Sequence, residues 1–315
     1  MKFTEKQLRE YAEPLSDTEN AMCKHAIEAI RDALKILNFT DDQKAIAPLE
    51  PDTYAYSIAM RKADGTDKIT VFVQGSYANN TCVKGESDVD IAVVHETFCD
   101  RAYGKNGTIY FDKRKEALQF KDSVIRALNA KFPGYVERKN KSVKVMGNTY
   151  RKQADAVPCL SLKYHYLSDY EDYTSYKDGI VIYADDGEVI QNFPKQHIAN
   201  GKAKNVKTNH YYKKMVRIIK KMRSLMKGYG YASADDVSSF GLESLLWNIP
   251  DDVFMKYMNY RFVFHAVVTY LYQHKDSLPL FKEANGIKQL CPTQTEVMKY
   301  ERFIDSLYRF YEYEL

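Results

Sequence analysis

Apolar positions follow two different periodicities along the chain. In the first part, short alternating or β-branched runs, such as the one around Ile69, Val71 and Val73, are interleaved with helical spacing. Asp185-Asp186-Gly187, between two such runs, is typical of a hairpin turn. The pattern predicts strands at 68–74, 89–94, near 142–147, and at 152–158, 180–183 and 188–190.

Helical spacing appears early and dominates the second half. Ser16, with Glu19 three residues later, matches a capping box that opens a long helix. Helices are predicted at 16–37, 112–131, 209–227, 238–248, 252–274 and 294–313. We therefore expect an α+β fold with a mixed-sheet domain over residues 1–193, a helical lobe over 194–315, and a ligand cleft between them.

Composition and cysteine placement narrow the class of protein. With 45% hydrophobic and 28% charged residues among 315, the chain can bury a core. No apolar run approaches membrane-spanning length and the N-terminus has no apolar signal core, so we expect neither a membrane helix nor export. Five scattered cysteines without a Cys-x-x-Cys pair argue against a disulfide framework and a structural zinc, and they favour a reducing cytoplasm.

The net charge of +4 hides one basic segment. Between Val189 and Ala234 the chain has eleven Lys and Arg residues and no Asp or Glu. Such a block indicates a local anionic partner, and a solvated helix face is the alternative.

Two carboxylates mark the most informative stretch. Asp88 and Asp90 lie two apart in a predicted strand, so they share a face, and they repel each other unless a cation such as Mg²⁺ sits between them. Gly75-Ser76 directly follows the preceding strand, where backbone N–H groups can cradle a phosphate. An exposed strand end explains a bare Asp-x-Asp, but the two features together favour a phosphate cradle beside a metal site.

A third carboxylate would complete a two-metal site for phosphoryl chemistry. Asp155, in the short apolar run KQADAVP, is the best candidate. A satisfied or exposed aspartate at a strand end is the alternative interpretation.

Together these residues resemble the DNA polymerase β-like nucleotidyltransferase superfamily, and more closely the bacterial cGAS/DncV-like nucleotidyltransferases. The resemblance covers most of the chain. It implies a two-lobed nucleotidyltransferase fold, in which the long N-terminal helix bridges a mixed-sheet catalytic lobe and a helical C-terminal lobe. It rests on the early helix, GSYANNTCVKGESDVDIAVV, QADAVP, the basic block 192–223 and SSFGLESLLWNIP.

The resemblance also implies an activity. Family members transfer a nucleotidyl group from an NTP to a 3′-hydroxyl and close the product into a cyclic di- or trinucleotide. Such products are second messengers in bacterial anti-phage (CBASS) signalling and switch on a companion effector. The expected substrates are ATP, GTP and/or UTP, and two Mg²⁺ ions, for which Mn²⁺ can substitute, would support attack on the α-phosphate.

Matching positions imply residue roles in the first domain. Gly75 and Ser76 would hold the donor triphosphate. Asp88 and Asp90 would bind both metals, and Asp155 would orient one metal and help the acceptor hydroxyl to lose its proton.

In the second half, Lys220 would contact the triphosphate, with Lys221 as an adjacent rival. Ser239 would also contact phosphates, and the donor base would stack on Phe240. Asn192 lies where an amide could read the base edge, which resembles members that accept UTP. Capping of the turn before Phe193-Pro194 is the alternative role for this asparagine.

Three other functions share parts of the pattern. An acceptor-dependent nucleotidyltransferase that tails RNA or adenylylates another molecule would carry the same carboxylates. A nucleotide-binding module without catalysis, or a plain nucleic-acid-binding protein, would leave the carboxylates unexplained. The sequence has no Cys/His cluster like the zinc projection of the animal DNA sensor of this family, so we do not expect activation by DNA.

Overall fold

The computed structural model describes residues 2–42, 47–48, 54–85, 88–103, 108–110, 112–165 and 176–311. The chain separates into two compact units. The sheet unit comprises Ser16–Ala78 and Asp88–Lys195, and the helical unit comprises Met1–Leu15, Asn79–Ser87 and Gln196–Leu315. Residues 1–15 and 79–87 thus pack with the helical unit, although they precede the boundary expected at 193/194.

The sheet unit contains eleven described strands. Their main order is β1-β3-β4-β5-β9-β10-β11, with β2 on β3, β6 on β5, and the β7–β8 hairpin on β9. The β5–β9 pair is parallel, and the other described pairs are antiparallel. The strands are β1 (Phe39–Asp41), β2 (Ala47–Pro48), β3 (Tyr56–Lys62), β4 (Lys68–Gln74), β5 (Val89–Tyr103), β6 (Thr108–Tyr110), β7 (Val136–Arg138), β8 (Val143–Val145), β9 (Ala154–His165), β10 (Lys177–Tyr183) and β11 (Val189–Asn192).

Three helices accompany this sheet: α2 (Asp17–Leu34), α3 (Gly75–Ala78) and α4 (Arg114–Lys131). Helices α2 and α4 pack on each other, α2 also contacts β4, and α4 contacts β9 and β10. The predicted capping box is present, because Ser16 Oγ accepts from Glu19 N–H and the Glu19 carboxylate accepts from Ser16 N–H. Helix α2 belongs to the sheet unit, and its predicted bridging role stays a prediction.

The helical unit is built around one apolar core. Helices α6, α7, α9 and α10 contribute to it together with α1, and Leu8, Ile218, Leu245, Phe264 and Phe303 are fully buried there. The helices are α1 (Glu5–Ala12), α5 (Pro194–Lys207, in this unit from Gln196), α6 (Tyr211–Gly228), α7 (Ser239–Trp247), α8 (Asp251–Met255), α9 (Tyr260–Gln273) and α10 (Gln294–Phe310), with short 3-10 segments at Lys35–Leu37 in the sheet unit and at Ala232–Ala234 and Lys275–Leu280 here.

The α+β prediction, a mixed sheet followed by a helical part, is confirmed. Two details were wrong. The helix predicted over 252–274 is two helices, because the Glu5 carboxylate accepts from the N–H groups of Tyr260 and Arg261 and caps a new helix there. The strands predicted at 89–94 and 152–158 run on to Tyr103 and His165. Helices α1 and α5 were not predicted, since apolar positions are sparse in both.

None of the described helices is both long and apolar enough to cross a membrane. All five cysteines are free thiols.

Candidate active site

Gly75 joins the end of β4 to the first turn of α3, as the sequence predicted for a strand followed by Gly-Ser and a helical turn. Its φ is +69°, a left-handed conformation that favours glycine. A Cβ at this position would lie 2.3 Å from Asp90 Oδ2. Glycine is therefore required both by the backbone and by the close approach of a carboxylate. Ser76, the next residue, is half-buried.

Asp90 and Asp155 lie opposite each other in the parallel pair β5–β9. The register of β5 and β9 sets Asp90 opposite Asp155, and on its other side Asp90 is opposite Gln74 of β4. Both carboxylates are half-buried. Strand pairing thus brings together two residues that are far apart in the sequence.

Asp88 lies immediately before β5 and is exposed. Its Oδ2 accepts a hydrogen bond of 2.6 Å from Gln153 Nε2, and Gln153 lies immediately before β9. The Val89 N–H donates to the Gln153 carbonyl oxygen, so the ladder reaches these two residues. Sequence reasoning missed Gln153. The available signal was its spacing, because it precedes Asp155 by two residues as Asp88 precedes Asp90.

Burial and a neighbouring charge act on Asp155. Burial raises the pKa of this carboxyl above its usual range, and the negative charge of Asp88 raises it further. Lys144, opposite Asp155 on β8, acts in the other direction. Asp155 Oδ1 is buried and has no hydrogen-bond partner. A cation at this end of the β5–β9 ladder would stabilise the negative charges of Asp88 and Asp155.

The donor set fits a hard divalent cation, because carboxylate oxygens are the ligands that Mg²⁺ prefers. Over the residues that the structure describes, no group of three or more His, Cys, Asp or Glu side chains is already arranged to hold a metal ion. Asp90 and Asp155 are nevertheless register partners, Asp88 lies just before β5 at the same end of the ladder, and the Asp155 oxygen without a hydrogen bond is a position that a cation would satisfy.

Lys220 lies in the helical unit and is buried. Its Nζ donates to the Glu243 carboxylate and lies 3.1 Å and 3.2 Å from the carbonyl and hydroxyl oxygens of Thr81. Glu243 also pairs with His197 Nε2 at 3.0 Å. Although burial acts to raise it, Lys220 and His197 hold the pKa of the Glu243 carboxyl well below its usual range.

The ion pair with Glu243 occupies the Lys220 ammonium group, which was expected from the sequence to contact phosphate. The phosphate-binding role of Lys220 stays a prediction, and half-buried Lys221 stays its rival. Sequence reasoning missed Glu243. It is the one charged residue in the otherwise apolar or small segment SFGLESLLW, and an isolated charge in such a segment indicates a buried partner.

Ser239 and Phe240 form the first turn of α7, and both are half-buried. The helix is capped by the preceding residue, since Ser238 Oγ accepts from Gly241 N–H at 2.9 Å. The Phe240 ring meets His197 edge to face at 5.0 Å. Their predicted contacts with phosphate and base stay predictions.

Asn192 ends β11, opposite Ile180. Its Oδ1 accepts a 2.9 Å hydrogen bond from Phe193 N–H, next to the start of α5. The bond reaches only the next residue, whereas a capping side chain accepts from an N–H two or three residues on, so the capping and the base-reading roles both stay predictions.

Known proteins match the whole chain. Residues 199–312 match the family model of the cGAS/DncV-like nucleotidyltransferase C-terminal helical domain, and residues 58–157 match that of the nucleotidyltransferase domain. The cyclic GMP-AMP synthase CdnE03 of Staphylococcus schleiferi is 42% identical over 99% of this chain and 98% of its own.

Two solved structures are similar along their full length. The CdnE cyclic dinucleotide synthase of Elizabethkingia meningoseptica, with GTP and Apcpp, has a TM-score of 0.76 and 28% identity, and the alignment covers 98% of each chain. The CdnE c-UMP-AMP synthase of Rhodothermus marinus, with Apcpp and Upnpp, has a TM-score of 0.71 and 26% identity, over 98% of this chain and 97% of the other. From its carboxylate ladder to its helical C-terminal part, the chain is a nucleotidyltransferase and belongs to the bacterial cGAS/DncV-like family.

Proposed function

We propose that this enzyme joins two nucleoside triphosphates into a cyclic dinucleotide by successive attacks of a 3′-hydroxyl on an α-phosphate. The observation that carries the proposal is the register of β5 and β9, which sets Asp90 opposite Asp155, with Asp88 held by Gln153 just before these strands and the Gly75 turn against Asp90. Relatives named as cyclic GMP-AMP and cyclic UMP-AMP synthases support the cyclic product.

Each residue of the ladder has a chemical task in this scheme. Asp88, Asp90 and Asp155 would hold two Mg²⁺ ions, for which Mn²⁺ can substitute, and the ions would supply Lewis-acid stabilisation of the phosphoryl oxygens. Asp155, opposite Asp90 in the ladder, would also help the acceptor hydroxyl to lose its proton. Gln153 holds Asp88 in place, and Gly75 and Ser76 would bind the donor triphosphate.

Substrate contacts from the rest of the chain complete the proposal. Lys220 or Lys221 and Ser239 would contact the triphosphate, and Phe240 would stack on the donor base. Asn192 would read a base edge through its amide nitrogen, because its oxygen already accepts from Phe193 N–H. This donor suits a carbonyl oxygen of uracil, so UTP stands beside ATP and GTP as a substrate.

The biological setting follows from the family. The cyclic product would act in the cytoplasm as a second messenger in anti-phage (CBASS) signalling and would switch on a companion effector. The enzyme would be constitutively active or controlled by a partner, and not activated by DNA.

Labelled substrates test the proposal. The purified full chain is incubated with each α-labelled NTP, singly and in mixtures, with Mg²⁺ or Mn²⁺, and the product is treated with phosphatase. A phosphatase-resistant product made without an added acceptor is expected, and the labels it contains identify its bases. A label that stays phosphatase-sensitive, or that enters product only with added RNA or protein, would instead indicate the acceptor-dependent transferase.

Variants of the carboxylates test whether the cyclic product depends on them. Replacing both Asp88→Asn and Asp90→Asn should lower turnover by about 10³-fold or more, because several kcal/mol of transition-state stabilisation are lost. Asp235→Asn, which changes an exposed carboxylate of the helical unit, is the control and should keep normal turnover. A double variant that turns over like the control would overturn the two-metal scheme.

A further inference from the structure

A cavity of about 510 Å³ opens in the sheet unit away from the three carboxylates and their glycine turn. We call it the tyrosine cavity. Its size falls within the range of small-molecule sites, about 300–1,000 Å³. None of the residues assigned to the proposed reaction lines it. The lining residues are His25, Ala29, Lys131, Phe132, Pro133, Tyr135, Asn148, Tyr150 and Arg151.

The charge of this lining is positive. Lys131 and Arg151 are cations, and no Asp or Glu is among the described lining residues. Arg151 is the most unusual of them, since only 9% of its surface is exposed. Within the described chain no carboxylate lies within ion-pair distance of its guanidinium group, which donates to the Met146 carbonyl oxygen and lies over the Phe132 ring.

A buried guanidinium without a counter-ion is costly, and burial lowers the pKa of Arg151. Elsewhere in the sheet unit, buried Lys121 and half-exposed Arg138 both pair with Asp185. Arg151, which lines the cavity, therefore differs from Lys121 and Arg138 in having no carboxylate partner within the described chain.

Aromatic rings provide the apolar wall. Tyr135 is 55% exposed and Tyr150 is 77% exposed, although both rings are large and apolar. Phe132 also lines the cavity, and the Arg151 guanidinium lies over its ring. Exposed rings around an opening are suited to stacking on a flat ligand, and guanidinium groups take part in such stacks.

Backbone hydrogen bonds hold this wall in place. Asn148 Oδ1 accepts from the N–H groups of Tyr150 and Arg151, and Asn148 N–H donates to the Arg151 carbonyl oxygen, which closes a tight turn. His25 Nδ1 donates to the Tyr150 carbonyl oxygen and ties this turn to α2. Tyr135 accepts through its carbonyl oxygen from Met146 N–H. The cavity is thus formed before any ligand arrives.

We propose that the tyrosine cavity binds a small aromatic anion. The flat ring stacks against Tyr135 and Tyr150, and the anionic group, a phosphate or a carboxylate, pairs with Arg151 and Lys131. The site is separate from the carboxylate ladder, so the inference does not depend on the proposed reaction.

Calorimetric titration of the full chain tests this inference. The probe is 1-naphthyl phosphate, with inorganic phosphate as the anion without a ring and 1-naphthol as the ring without an anion, all in EDTA so that no metal bridges the probe to the carboxylates. We expect 1-naphthyl phosphate to bind at least about tenfold more tightly than either part alone, because stacking contributes about 1–3 kcal/mol.

Variants locate the binding. Lys131→Glu and Tyr150→Ala should each weaken binding of 1-naphthyl phosphate about tenfold or more. Lys115→Glu, an exposed lysine at the other end of α4, is the matched control and should change it less than about twofold. Arg151→Met should abolish the rise in Tm that the probe causes, and the two surface variants decide the matter if Arg151→Met does not fold.

Two results would overturn the proposal. One is the absence of saturable binding of 1-naphthyl phosphate at millimolar concentration. The other is equal affinity of the Lys131→Glu and Lys115→Glu variants for it, which would place the binding elsewhere on the chain.

Discussion

Replacement of Gly75 by alanine tests how strictly the carboxylate geometry controls turnover. The φ of +69° makes any side chain there cost about 1–2 kcal/mol. The added Cβ would also lie 2.3 Å from Asp90 Oδ2, whereas ordinary contacts begin at 3.4 Å. The carboxylate must therefore move by about 1 Å, and a misplacement of that size can lower a rate about 10²-fold.

Gly65→Ala is the matched control. Gly65 has a φ of +72°, and nothing lies within 4 Å of a Cβ added to it. It belongs to the turn before β4, whereas Gly75 directly follows that strand. Both variants therefore have the same backbone cost, and only Gly75→Ala displaces a carboxylate.

The assay combines kcat for the phosphatase-resistant product with thermal unfolding of the same samples. We expect Gly75→Ala to lose at least as much stability as Gly65→Ala, and we expect a loss of about 10²-fold in kcat for Gly75→Ala alone. If the kcat of Gly75→Ala stays within about threefold of that of Gly65→Ala, a difference below 1 kcal/mol, the position of the Asp90 oxygen does not control the reaction.

Three further predictions follow from the same contacts. Asp155→Asn should raise the Tm of the metal-free protein at neutral pH, because burial and Asp88 raise the pKa of Asp155 and its charged form destabilises the fold. The Tm difference between the variant and the unchanged protein should vanish below the pKa of an unfolded aspartate, about 3.9, and a difference that is independent of pH would contradict this reasoning. Gln153→Ala, which removes the hydrogen bond to Asp88, should lower kcat about tenfold at unchanged Tm, and full activity would show that Asp88 needs no such support. Lys220→Met and Glu243→Gln should each lower the free energy of unfolding, measured by urea denaturation, by about 3–5 kcal/mol. The double variant should lose less than the sum of the two single losses, whereas additive losses would mean that the two groups are not coupled.

Residues that act through local geometry could be predicted from the sequence. The two-residue period of a strand identified Asp88 and Asp90, and the position of Gly75 directly after a strand identified the tight turn. Ser16 and Glu19 marked the start of α2 because a capping box needs only residues three apart. Each of these inferences depends on interactions within one turn or one strand.

Contacts between distant segments could not be predicted in this way. The opposition of Asp90 to Asp155 depends on the register of two parallel strands, which no local pattern specifies. Lys220 and Glu243 form an ion pair because α6 and α7 pack on each other. The isolated charge of Glu243 was the one sequence feature that indicated a buried partner. Helix α5 was missed because its amphipathic pattern is weak, with few apolar positions among lysines and polar residues.

The parallel pairing of β5 with β9 has a consequence for folding. A parallel pair joins segments remote in sequence, and such pairs form slowly because the chain between them must first be closed into a loop. A slip of one residue would set Ala154 or Ala156 opposite Asp90, and both of these alanines are small and buried. Such a slip would turn the side chains of β9 to the other face of the sheet, and the slipped chain would lack the facing carboxylate. The acquisition of catalytic competence is therefore a late event in folding, and a compact chain can still be an inactive one.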